Sequence, residues 1–516
     1  MKLDLVRNTK RNIFSGYVRS IAELVISFGN RTLFLWLMGP GYLGLNGLFN
    51  SLLGLLSLAE LGFGTAIGYS MYKPIAEDDH AMICAYLNIF QKIYRYVGLT
   101  ILTIGLLLLP FLPKLVRADL PPELNLQTLY LLHLANTTAS YFFFACRSSI
   151  LSAHQRNDLL ANIRTFIILA QFITTAIILF VTKNYYHYVL STIFFTLTAN
   201  FLNYRLARKH YPELQPQGEL PRELRRKIFS SVKDLFLHKI GAIIAYSFDN
   251  LVISAFLGLT AVAIYGNYYY ICKSVYSLTW VLAGSMRAGI GNRLHLADNR
   301  ENFRLFLRLN RLITIVTLWC SAVMLALFQP FLRVWTGNQP GLVRHFLTPV
   351  LMVLYYYIWQ GRQLVLVFRD ADGLWHKDRW KPLVAGFANL SLNLLFLHYL
   401  PEAYKLDGVI LSTILAFLFI EMPWETHVLF SARFDGSQAR VFWRARAIFA
   451  LLACLCCLLT WGCTCAIPLT GFFGLVVKGF AATATATIFV VVLFRKDLLE
   501  LWQTVRPRKT PSDREM

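Results

Sequence analysis

The residues best equipped for chemistry are charges set in apolar surroundings. Arg19, Lys92, Arg95, Arg164, Lys233, Lys239, Lys273, Arg362 and Lys478 fall inside long hydrophobic stretches, with Arg31, Arg147 and Arg287 at their ends. The acids in such stretches are few: Glu23, Glu60, Asp249 and Glu421. A Lys or Arg at the centre of a bilayer costs about 2.5–3.5 kcal/mol. Nine of them turned to lipid would cost on the order of 25 kcal/mol, more than a folded chain has to spare. Some must snorkel, and Lys92, Arg95, Arg164, Lys233 and Lys239 lie near enough to an interface to do so. Arg19, Lys273 and Arg362 lie deeper and call for a wet or paired interior.

The spacing around the deep cations is informative. In YGNYYYICKSVYS, Tyr269, Lys273 and Tyr276 recur at i, i+4 and i+7, one face of a helix. In YYYIWQGRQ, Tyr355, Trp359 and Arg362 repeat the pattern, with Gln360 and Gln363 beside them. A cation next to flat rings and amides suits an anionic ligand that carries sugars, because guanidinium groups fork onto phosphate and rings cover the apolar faces of sugars. The same rings would equally serve as helix-interface or headgroup-belt aromatics. Arg19 and Glu23 are one helical turn apart and can pair. Glu60 and Asp249 are candidates for counter-ions or for proton carriage. Because cations outnumber acids at depth, the ligand sign favoured is negative.

The elements that hold these residues follow from hydropathy. Of the 516 residues 56% are hydrophobic and 15% charged, with a mean hydropathy of +0.50; soluble domains carry about 25% charged residues. Apolar runs lie near 12–36, 43–72, 85–112, 126–150, 157–182, 185–204, 231–257, 262–289, 306–330, 345–368, 382–400, 408–430, 445–467 and 470–494. These are fourteen spans of helical length, and none alternates as barrel strands do. With the amino terminus inside, 34 of the 50 Lys and Arg fall on inner segments and 7 on outer ones. That bias puts both termini in the cytoplasm of a multi-pass plasma (inner) membrane protein. The net charge of +22 is therefore a topology signal, not a nucleic-acid signal. No secretory signal peptide is expected, since Arg19 and Glu23 interrupt the first apolar run. Nine cysteines make no disulfide framework, and those crowding 454–465 read as small hydrophobes. No cofactor, metal site or nucleotide-binding loop is expected, and no enzyme activity.

The longest polar break, RLARKHYPELQPQGELPRELRRK, reads as a linker after six spans. The sequence after it restarts as one helix, a short turn and a longer helix, and Ile67-Gly68 corresponds to Ile290-Gly291. The expected fold class is an all-α polytopic membrane protein with two six-helix lobes in a parallel pseudo-twofold repeat plus two C-terminal helices. The boundaries are 1–204 for the N-lobe, 205–230 for a cytoplasmic linker, 231–430 for the C-lobe, 431–496 for helices 13 and 14, and 497–516 for a cytoplasmic tail. Like-oriented lobes on a hinge suit alternating access through a central cavity.

Three stretches carry a family resemblance: RTLFLWLMGPGYLGLNGLFNSLLGLLSLAELGFGTAIGYSMYKPIAEDD, FDNLVISAFLGLTAVAIYGNYYY, and FRDADGLWHKDRWKPLVAGFANLSLNLLF with LDGVILSTILAFLFIEMPWETHVLF. In combination the sequence resembles the polysaccharide transporter (Wzx-type) flippases of the multidrug/oligosaccharidyl-lipid/polysaccharide superfamily. The resemblance implies a V-shaped carrier that moves an oligosaccharide on a polyprenyl pyrophosphate from the cytoplasmic to the outer leaflet, for surface polysaccharide assembly. It implies that Arg19 and Lys273 hold the pyrophosphate, and it matches Glu60 and Asp249 to acidic positions of the family; Arg362 and Arg147 are expected, from their own positions, as further cavity cations. The partners it implies are membrane lipid, the lipid-linked oligosaccharide, a coupling ion (H+ or Na+), and a glycan polymerase or glycosyltransferases, with no nucleic acid. Departing from the family, MRAGIGN lacks a proline often found there. The rival readings are a drug/cation antiporter of the same superfamily, which would couple through Glu23, Glu60 and Asp249, a lipid II flippase, and a membrane scaffold for glycan enzymes.

Overall fold

A computed structural model describes residues 5–57, 77–115, 123–142, 147–154, 156–226, 248–294, 298–339 and 341–505, with single positions between 63 and 75. The regular elements among these residues are all helices. They are α1 (Leu5–Leu37), α2 (Pro40–Leu56), α3 (His80–Leu108), α4 (Leu126–Phe142), α5 (Arg147–Ala153), α6 (Asn157–Thr182), α7 (Tyr185–His210), α8 (Leu259–Leu294), α9 (Asn299–Trp335), α10 (Leu347–Gly361), α11 (Gln363–Ala371), α12 (Lys381–Tyr399), α13 (Lys405–Ala416), α14 (Met422–Arg433), α15 (Gly436–Cys465) and α16 (Gly471–Val505). A short apolar helix, Phe248–Leu257, precedes α8. Among the described residues eight helices are long and apolar enough to cross a membrane. The expected all-α polytopic class is what the chain adopts. Most of the seventh expected span and the inner end of the second lie outside the described residues.

The chain forms two compact units, residues 1–267 with 379–412, and residues 268–378 with 413–516. In the first unit α1 lies along α6, α6 packs on α7, and α4 joins α3 to α7. The Tyr130 hydroxyl donates to the Gly105 carbonyl across 3.0 Å, tying α4 to α3 without leaving a buried polar atom idle. The stretch read as a linker is helical to His210 and then runs over α3, where Asn88 donates to the Gly218 carbonyl at 2.7 Å. Leu214 and Leu220 are buried in this segment, so its polar composition conceals two apolar anchors.

In the second unit α9 packs against α15, α16 and α10. Phe306, Phe368, Phe430 and Phe442 form its most enclosed core, with ring centroids 5.1–5.8 Å apart in edge and tilted contacts. The start of α15 is fixed by a capping box. Asp435 accepts from the Gln438 amide at 2.8 Å, and the Gln438 side chain accepts from the Asp435 backbone N–H at 3.2 Å. The Ser437 hydroxyl, donating to Asp435 at 2.5 Å, and then the Gln438 backbone N–H hold the Asp435 carboxyl below the usual carboxylate range. One turn of π-helix, Phe417–Glu421, joins α13 to α14. Such a turn inserts a residue into the helical register and re-aims the side chains beyond it.

Close packing leaves a specific glycine requirement in the first unit. A Cβ on Gly44 of α2 would fall 1.9 Å from the Leu259 carbonyl oxygen at the start of α8, so no side chain fits there unless backbone moves. Gly47, one turn on, would meet only a Val262 methyl at 3.3 Å. Gly44→Ala is therefore expected to cost about 1–3 kcal/mol by overpacking, whereas Gly47→Ala is nearly neutral. Thermal unfolding of the two purified variants in detergent checks this, and equal melting temperatures would refute the contact.

Candidate functional site

The deep charges are handled in three different ways. Lys273 is the fifteenth residue of α8, about 21 Å along the helix from its start. It is exposed, and among the described residues no carboxylate lies within ion-pair distance of it. Its neighbours on the same face are rings. Tyr276 stacks on Trp359 of α10 with centroids 3.7 Å apart and planes 11° from parallel, and Tyr269 stacks on the same indole at 6.2 Å. Tyr355 packs between Trp359 and Phe417. The two aromatic stripes of α8 and α10 are thus one continuous stack. Tyr355 and Trp359 are buried within it, while Tyr269 and Tyr276 keep partial exposure beside Lys273.

Arg362 is treated differently. It is 5% exposed, and two carboxylates of the neighbouring helix turn converge on it. Its Nε donates to Glu425 Oε2 at 3.0 Å and its Nη2 to Glu425 Oε1 at 2.6 Å, while Nη2 also donates to Glu421. The Phe417 ring lies 4.3 Å below the guanidinium carbon. The π-turn brings Phe417 and Glu421 into this arrangement, and Glu425 follows one α-turn later. Gln363 is fully buried and paired with Gln360 by two amide bonds of 2.7 and 3.1 Å. The guanidinium fork is engaged by protein carboxylates, and the Gln363 amide by its neighbour.

The first unit contains Arg19, Glu23, Arg164, Arg31 and Asp249. Arg19 of α1 lies 4.0 Å from Glu23, and Glu23 also meets Arg164 of α6 at 3.5 Å. All three are partly exposed, so two cations share one acid and the group carries net positive charge. Arg164, expected to snorkel, has joined Arg19. Asp249 is 2% exposed and takes part in a polar network. It accepts from the Tyr265 hydroxyl at 3.1 Å and from Asn393 Nδ2 at 2.9 Å; Asn393 also donates to Asn389 at 2.7 Å and accepts from Ser412. Arg31, near the end of α1, donates to Asn267 at 2.6 Å and to the Ala263 carbonyl at 3.1 Å. Glu60 lies outside the described residues, as does the side chain of Arg147.

Sequence reasoning singled out neither Glu425 nor Asn389 and Asn393. Glu421 and Glu425 are i and i+4 on an apolar helix, a signal for a shared cation. Asn389 and Asn393 have the same spacing in FANLSLN. Both pairs point to a buried polar partner, and neither says which.

The fold has counterparts among solved structures. The fold is similar to that of a lipid II flippase, MurJ, in an inward closed conformation, with a TM-score of 0.66, 16% identity, and 94% of this chain and 99% of that one covered. It is also similar to an inward-facing multidrug resistance MATE transporter of the MOP superfamily, at 0.59 and 15% identity over 82% of this chain and 99% of that one. A MATE protein in a bent conformation matches at 0.51 and 15% identity, with 84% and 97% covered. No curated protein matches the chain in sequence. The chain thus has the fold of multi-pass membrane transporters. Residues 9–284 match the family described as polysaccharide biosynthesis protein, and the chain belongs to that family, as the resemblance implied.

The Arg362 cluster makes a prediction. Arg362→Met would leave Glu421 and Glu425 buried without their cation, and removing one partner of a buried pair costs about 3–5 kcal/mol. Arg362→Met is expected to melt well below wild type, with much of the loss restored by adding Glu421→Gln and Glu425→Gln. An unchanged melting temperature in the single variant would show that the three residues do not form this cluster.

Proposed function

We propose that the protein is a flippase for an oligosaccharide carried on a polyprenyl pyrophosphate, moving it from the cytoplasmic to the outer leaflet of the plasma membrane, by alternating access, for surface polysaccharide assembly. The observation that carries this reading is Lys273, a cation about 21 Å along α8, which hydropathy reads as a span, exposed, with no carboxylate partner among the described residues and with Tyr269 and Tyr276 on its own face. An unpaired charge at that depth is expensive unless water and an anion meet it. The half-exposed rings beside it suit the apolar faces of sugars. Arg19, with Arg164, supplies a second positive group whose single acid leaves charge to spare. Membership in a polysaccharide biosynthesis family supports a glycan-bearing substrate.

The energetics fit outward movement. An inside-negative potential favours export of an anion by about 2.3 kcal/mol per charge per 100 mV. Asp249, a buried carboxylate that accepts from a hydroxyl and an amide, is the candidate for coupling to H+ or Na+. Arg362, engaged by Glu421 and Glu425, serves this reading as a positioning residue that holds α10 and the Trp359 stack against the π-turn.

Lys273→Ala and Arg19→Ala are expected to abolish, or reduce at least about tenfold, the surface glycan of cells that depend on this protein, at unchanged membrane protein level, since charge-assisted bonds to phosphate are individually strong. Normal glycan in both variants would remove the proposed anion site. Translocation of drugs by reconstituted vesicles, with no movement of lipid-linked oligosaccharide, would favour the antiporter reading instead.

A further inference from the structure

Arg446 belongs by sequence with the inner-side charges, yet the structure sets it inside α15, ten residues past the start of that helix and so about 15 Å along it. Its guanidinium carbon lies 5.1 Å from the Phe442 ring centroid. Its Nη2 occupies the space left by Gly361, where any Cβ would come within 2.2 Å. Its Nη1 is buried and has no hydrogen-bond partner. A guanidinium nitrogen left this way in a low-dielectric layer is costly, and natural structures rarely leave one without a ligand.

Arg446 also lines a cavity of about 550 Å³ whose other walls are almost wholly apolar. The cavity is bounded by α9, α10, α14 and α15, with Tyr357, Ala450, Cys457 and Trp461 along its length. Leu354 and Leu458 on its rim are exposed, so it is a slot open on the apolar surface rather than a sealed void. Trp461, in contact with Phe346 at 4.8 Å, closes the far end. From Arg446 to Trp461 the helix rises about 22 Å, about three-quarters of a bilayer's hydrocarbon thickness of about 30 Å. Arg440 and Arg444, both exposed, continue the positive charge from Arg446 toward the start of α15.

From these features we infer that the slot is a binding site for one resident anionic phospholipid of the leaflet that borders the start of α15. The phosphate accepts from Arg446, and an acyl chain fills the slot as far as Trp461. A guanidinium fork matches a phosphate oxygen pair, and the neighbouring cations select a headgroup of net negative charge over a zwitterionic one by opposing its ammonium. The lipid would answer the Arg446 guanidinium while filling the slot between α10 and α15. This inference does not rest on the transport reading, because the occupant is a structural lipid and not the cargo.

The test is lipid retention by the delipidated full-length protein, followed by native mass spectrometry with phosphatidylglycerol and phosphatidylcholine of identical chains. Wild type is expected to bind one phosphatidylglycerol in clear preference to phosphatidylcholine. Arg446→Gln should bind it about tenfold more weakly, the loss of a charge-assisted hydrogen bond, and Arg446→Lys should fall between. Ala450→Trp, which fills the slot and keeps the cation, should also lose the lipid. If Arg446→Gln fails to fold, Ala450→Trp decides alone. Equal binding of the two lipids by wild type, undiminished binding by Arg446→Gln or Ala450→Trp, or a polyprenyl phosphate as the lipid retained from cells would each overturn the assignment. Surface glycan production does not enter this readout, so failure here is distinct from failure of the flippase reading.

Discussion

A charge inside an apolar layer must be answered by something, and that one constraint organises this protein. The chain places more cations than acids at depth. Helix formation satisfies the backbone within each span, so the unresolved cost is carried by side chains alone. Each deep charge has one of three answers: a protein partner of opposite sign, a polar network, or an opening where water and a ligand complete it. Which answer each residue receives distinguishes a structural charge from a functional one.

Arg362 shows the first answer, held by Glu421 and Glu425 over the Phe417 ring. Asp249 shows the second, a carboxylate among hydroxyl and amide groups. Lys273 and the Arg19–Glu23–Arg164 group stay exposed with cations in excess of acids, and the third answer is the one proposed for them. The aromatic stack beside Lys273 links these answers within the second unit, because Tyr355 touches both Trp359 and the Phe417 ring beneath Arg362. A shift of the π-turn would therefore be felt at Tyr269 and Tyr276 through packed rings, a route by which ion or lipid binding could reach the proposed sugar face.

Hydropathy made the helices legible, because a membrane span must be long and apolar whatever its neighbours do. The i, i+4, i+7 stripes around Lys273 and Arg362 were also legible, because helical periodicity is local. What periodicity cannot express is the partner across space. Nothing in YYYIWQGRQ tells that Arg362 meets acids some sixty residues later, or that Trp359 stacks on Tyr276. Arg164 read as a snorkelling cation because position along the chain measures depth and not direction. Arg446 read as an inner-side charge for the same reason. Asn389 and Asn393 drew no notice because amides are common, and only the arrival of Asp249 gives them a role.

The account stands on Lys273 facing water rather than hydrocarbon. The most direct measurement is the reactivity of Lys273→Cys, in a chain whose native cysteines have been replaced, toward a membrane-impermeant thiol reagent in intact membranes. The account predicts rapid modification, faster with an anionic than with a cationic reagent, and protection by lipid-linked oligosaccharide. A cysteine at this position that resists the impermeant reagent, yet reacts with one that partitions into lipid, would contradict it.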